Sequence, residues 1–149
     1  MLRRILVLTI ICFSLITISS AQGHGFGLGV VVGTPTGLSC KAWISHSSAL
    51  QIEAGWPSLS QTEGTVLSFD YLLHAHIFRS HEQLPLFYGI GGVVGLSSTN
   101  AFGLRGVGGL AWWPHGSSTD IFLQVLPTFY FTPSTKFDFD FGLGVRYFF

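Results

Sequence analysis

The stretch KFDFDFGLGVRYFF, Lys136 to Phe149, decides how the rest of the chain is read. Its odd positions are Phe137, Phe139, Phe141, Leu143, Val145, Tyr147 and Phe149. Its even positions are Lys136, Asp138, Asp140, Gly142, Gly144, Arg146 and Phe148. Successive side chains of a β-strand point to opposite faces, so as a strand this stretch has one wholly apolar face. The other face carries charge and glycine. A soluble sandwich strand has the same period, so the solvent of the apolar face must be read from the whole chain.

Working back from that strand, seven more alternating segments are separated by turn-forming clusters. The pattern predicts strands over 24–33, 37–45, 49–57, 65–78, 84–97, 101–113, 121–131 and 136–149. Each has an outward-type face free of charge, such as Leu67, Phe69, Tyr71 and Leu73 in the fourth or Ile121, Leu123, Val125 and Phe129 in the seventh. The opposite faces collect Lys41, Gln51, Glu53, Asp70, His74, His76, Arg105, Gln124, Asp138, Asp140 and Arg146. Glu63, Arg79, Glu82, Asp120 and Lys136 fall in turns or at a strand end.

Size decides which face is inside. Eight strands of roughly ten residues suit a tilted bilayer crossing, and an eight-stranded barrel has an interior just wide enough for side chains. Such an interior has no room for about forty bulky residues. The glycine-rich charged faces therefore belong inside and the bulky faces outside, against lipid. The expected fold is all-β: an eight-stranded antiparallel transmembrane up-and-down barrel. Closure leaves no unpaired edge, as hydrocarbon requires. Outward aromatics at strand ends form two girdles, Trp56, Phe102, Phe131 and Phe137 toward one rim, and Phe26, Trp112, Tyr147 and Phe149 toward the other. Pro127 lies mid-strand, where the missing N–H predicts a bulge.

Composition agrees. Only 9% of the 149 residues are charged, while 19 are Gly and 14 are Phe, which favours strands and is poor material for a soluble surface. Residues 1–21 read as a secretory signal peptide, with basic Arg3-Arg4, an apolar run from Ile5 to Ile18 and cleavage after Ala21. The barrel then occupies 22–149. Loss of Arg3 and Arg4 leaves five Lys/Arg against seven Asp/Glu, which provides no basic patch and excludes nucleic acid as a partner. Cys40 is left as the single mature cysteine, so neither an internal disulfide nor a Cys-rich metal site is expected.

The interior predicts a plug of paired charges. Lys41 and Glu53 are symmetric about Ser47 and would face each other across a His46-Ser47-Ser48 hairpin. Lys41, Glu53, His74 and Arg146 share one level, with Asp70, Arg105 and Asp140 above. Glycines inward on the first, fifth and eighth strands leave room for Lys41, Trp43, Asp70, Phe87 and Arg105 to cross the axis. Asp70, His74 and His76 lack a further strong ligand for a metal. Ser68 with His74 invites comparison with a hydrolase, but both point inward. No catalytic residue, metal or cofactor is expected.

These residues resemble the small outer-membrane barrels of the OmpA/OmpX type. The terminal Arg146-Tyr147-Phe148-Phe149 is similar to the aromatic-ended signal read by the bacterial barrel-assembly machinery. The runs GLGVVVGTPTGLSCK (27–41), LPLFYGIGG (84–92) and GLGVRYFF (142–149) are similar to a family of short bacterial outer-membrane barrels of uncharacterised function. The resemblance implies export through the Sec pathway, residence in a Gram-negative outer membrane, contact with its lipids and lipopolysaccharide, and a monomeric state. It implies a non-catalytic structural or envelope-interaction role. The alternatives are a lipid A-modifying enzyme and a surface adhesin that binds through the loop at 58–64.

Overall fold

A computed structural model of the chain describes residues 25–56, 64–75, 84–114, 116–132 and 134–149. The segments at 1–21, 58–63 and 76–83, and with them the signal peptide, most of the adhesin-type loop and His76, lie outside the described residues. Eight strands form one closed antiparallel barrel in sequence order: β1 (Phe26–Gly33), β2 (Thr36–Trp43), β3 (Ser48–Trp56), β4 (Thr65–Ala75), β5 (Leu86–Leu96), β6 (Ala101–Trp112), β7 (Thr119–Thr132) and β8 (Lys136–Phe148). The last strand closes on the first, with Gly29 opposite Arg146 and Val31 opposite Gly144.

Side-chain parity sorts as the alternation requires. Ile90, Phe139, Phe141 and Leu143 are each more than half exposed, while Lys41, Gln51, Asp70 and Arg146 are fully buried. The interior is thus ionic at its centre, with an apolar cluster of Val31, Leu72, Phe87, Val107, Ala111, Phe122 and Leu126 packed around it. The aromatic residues expected at the rims lie at the ends of their strands, and Tyr147 meets Phe149 edge-on at 5.3 Å between ring centroids.

Inward glycines are sterically required where large groups cross. A Cβ on Gly144 would collide with the Phe122 ring, and one on Gly91 would collide with the Asp70 carboxylate. Bare backbone on β5 and β8 is what lets these side chains reach the axis.

Two local expectations are corrected. The β2–β3 turn is centred on His46, not Ser47, because the Ser45 hydroxyl accepts hydrogen bonds from the Ser47 and Ser48 amides and Ile44 N–H donates to the Ser48 carbonyl. Register shifts by two residues, so Lys41 faces Gln51 and Glu53 faces Ser39. At Pro127 there is no register shift. The β6–β7 ladder instead skips Gly106 and Val107, while the irregularity in register lies at Phe102/Gly103, opposite Tyr130–Thr132. Proline's missing donor is absorbed by leaving pairs unmade, and Gly106 gives its ring space: a Cβ there would approach Pro127 Cγ to 3.3 Å.

Candidate functional site

Two layers of charge cross the barrel. In the upper layer Arg105, from β6, binds two carboxylates. Its Nε donates to Asp70 Oδ1 at 2.8 Å and its Nη2 donates to Glu53 Oε2 at 2.9 Å, with a further Nη2 contact to Asp70 Oδ2. In the lower layer Asp120 stands among cations: Arg146 Nε lies 3.3 Å and Lys41 Nζ 3.8 Å from its Oδ2. Lys41 Nζ is also 2.7 Å from His74 Nε2.

Neither layer is neutral alone. The upper has one cation for two carboxylates and the lower has two for one, but together the buried Lys41, Arg105 and Arg146 balance Glu53, Asp70 and Asp120. Two amides tie the layers together. Arg146 Nη1 donates to Gln51 Oε1 at 2.5 Å, and Glu53 Oε1 accepts from Gln51 Nε2 at 3.2 Å and from Gln124 Nε2 at 2.9 Å. Charges removed from water persist only when paired and hydrogen-bonded, and the links from Asp70 through to His74 meet most of that demand. Aromatic rings shield the lower layer: Arg146 Cζ lies 3.8 Å from the Phe122 centroid and Lys41 Nζ 4.6 Å from that of Trp43. Trp43 and Trp113 meet at 5.7 Å with their planes nearly perpendicular, beside His74.

Of the seven interior residues expected from the sequence, Lys41, His74 and Arg146 come together below, and Asp70 and Arg105 above. Glu53 joins the upper layer rather than the lower, a direct result of the shifted hairpin. Asp140 is only partly buried and stands higher still, with the Thr34 side chain against its carboxylate. The sequence pattern places Asp120 in a turn and so misses it. Strand β7 begins at Thr119, which extends the inward series Phe122, Gln124, Leu126 back by one step to reach it. Gln51 and Gln124 had the right parity but no charge to draw attention to them.

Ser68 and His74 are six residues apart on β4, roughly 20 Å at strand rise, so they cannot act as a nucleophile and its base. Among the described residues, no three His, Cys, Asp or Glu side chains gather as a metal site.

Among the described residues, the barrel is open above the upper layer. A cavity of about 420 Å³ has Arg105, Val93 and Thr128 as its floor. Val66, Gly95 and Ala101 form one wall, and Tyr130, Asp138 and Asp140 the other. Comparison with protein-family models gives no match, and comparison with curated proteins gives none either.

Proposed function

We propose that this chain is an outer-membrane β-barrel protein, exported through the Sec pathway and acting without catalysis in a structural or envelope-interaction role. The observation that carries this reading is the inverted distribution of polarity. Among the described residues, twenty-eight large apolar side chains stand on the barrel exterior while three cations and three carboxylates are buried. A soluble monomer rarely exposes a contiguous apolar patch beyond a few hundred Å². This exterior is apolar all the way round, on β1 through β8, which suits hydrocarbon on every side. Strands of 8 to 14 residues, tilted, match the height of such a band.

Its partners are then outer-membrane lipids and lipopolysaccharide, with the barrel-assembly machinery during biogenesis. The resemblance to OmpA/OmpX-type barrels supports the same placement.

Membrane fractionation combined with migration on an SDS gel, boiled and unboiled, tests the reading. The expected result is a membrane-bound chain whose unboiled form resists SDS and migrates anomalously. A freely soluble monomer, stable without detergent, would overturn it.

A further inference from the structure

We propose that the cup above Arg105 is a saccharide-binding site, sized for one or two sugar rings. It goes beyond the membrane reading and depends on that reading only for the side from which the ligand arrives.

The two halves of the interior are built differently. Below, Phe87, Phe122, Trp43 and Trp113 fill the cross-section around the ions. Above, the inward positions of one wall are small: Gly95 and Ala101, with Val66 beside them. Unlike Gly91 or Gly144, Gly95 is not required by crowding, because a Cβ there would meet Ala101 Cβ at an ordinary 3.5 Å. The backbone has room for a Cβ at this point, and the described residues leave the space beside it open. At about 420 Å³ the cavity falls within the range of small-ligand sites.

The lining selects the chemistry. A pyranose offers hydroxyls that donate and accept, and a C–H face that prefers apolar contact. One wall of the cup is apolar, with Val66 and Ala101 above the Val93 side chain of the floor. The facing wall supplies the Tyr130 ring and hydroxyl and the Asp140 carboxylate, with Thr132 and Ser134 toward the rim. Hydroxyl groups that both donate and accept match a polyol without adding charge.

Competing ligand classes fit less well. An anion would approach Arg105, but that guanidinium already serves Asp70 and Glu53. Lys136, at the mouth, pairs with Asp138 at 3.1 Å. Asp140 has no cation within ion-pair distance among the described residues, and the Thr34 side chain takes up only part of its accepting capacity, so the remainder can accept from sugar hydroxyls, the stronger class of hydrogen bond. A purely apolar ligand would strip water from the hydroxyls without replacing it.

The test uses the refolded barrel in lauryldimethylamine oxide, whose head group carries no sugar. Mono- and disaccharides are titrated by calorimetry and by saturation-transfer NMR, alongside Gly95→Leu, which fills the cup, and Asp140→Asn, which keeps its shape. Heat-modifiable migration confirms that each variant is folded. Saturable binding by the native chain is expected, abolished by Gly95→Leu and weakened about tenfold or more by Asp140→Asn. A second arm presents immobilised polysaccharide with free disaccharide as competitor. Capture that the disaccharide displaces assigns the site to a terminal sugar of a polymer; binding of free sugar alone assigns it to a soluble saccharide. No saturable saccharide binding by a correctly folded chain, binding indifferent to both substitutions, or a response only to amines or metal cations overturns the proposal. A soluble barrel that still binds sugar would overturn the membrane reading and leave this one standing.

Discussion

Gln51 accepts a 2.5 Å hydrogen bond from Arg146, and this contact joins the cation-rich layer of the barrel to the carboxylate-rich one. The Gln51 amide nitrogen turns the other way, to Glu53 Oε1 at 3.2 Å. One neutral side chain therefore serves a cation with its oxygen and an anion with its nitrogen. A charged residue at position 51 could satisfy only one of them.

Gln51→Leu should consequently leave Arg146 Nη1 and Glu53 Oε1 each short of a partner. The expected loss is about 1–3 kcal/mol, the desolvation penalty of a buried polar group deprived of its bond. Urea unfolding in detergent micelles, followed by tryptophan fluorescence, measures it. A variant as stable as the native chain would show that the two layers are independent.

Arg105→Met removes the single cation that serves both Asp70 and Glu53. Two uncompensated buried carboxylates should cost about 3–5 kcal/mol. Adding Asp70→Asn and Glu53→Gln to the same chain should recover part of that loss, because no carboxylate of the upper layer is then left unpaired, while the lower layer keeps its excess cation. Failure of the triple variant to regain stability would mean that packing, not charge pairing, dominates the upper layer.

The fit of Gly144 against Phe122 makes a steric prediction. Gly144→Val drives a side chain into that ring and should destabilise by about 1–3 kcal/mol, typical of overpacking. Phe122→Ala in the same chain should relieve the clash, so the double variant should be more stable than the sum of the single changes predicts. Thermal shifts of gel migration on all four chains complete the cycle.

The exterior predicts an asymmetry between solvents. Ile90, 63% exposed near the middle of β5, should resist charge if it meets hydrocarbon. Ile90→Arg should cost about 2–4 kcal/mol when the barrel is folded into lipid vesicles, the range for a cation at the bilayer midplane. A water-facing Ile90 would accept arginine with almost no change. Equilibrium unfolding in vesicles distinguishes the two.

The strands were legible because alternation is unbroken in this chain. All eight fall within about two residues of their expected bounds wherever they are described, and even Asp138 and Asp140, flanked by phenylalanines, show their inward side by parity alone. Contacts between strands were less legible, because they depend on turn geometry. A serine hydroxyl at position 45 moved the β2–β3 turn by one residue, and that small change carried Glu53 from Lys41 to Arg105. Asp120 illustrates the same limit. Its neighbours Ser117, Ser118 and Thr119 read as turn residues, yet the strand extends back as far as Thr119, and Asp120 meets its cations inside. The cup was also hidden, since emptiness is a property of several strands at one height and not of any local pattern.

The β1–β8 seam has a consequence for how the molecule is assembled. Arg146 on β8 reaches Ser39 on β2, Gln51 on β3 and Asp120 on β7, so three other strands depend on its arrival. Until that docking event, the half-made cylinder holds Lys41 and Asp120 without their full complement and two raw edges besides. Folding should therefore behave like the latching of a clasp: intermediates remain open and soft, and rigidity comes in a single late step.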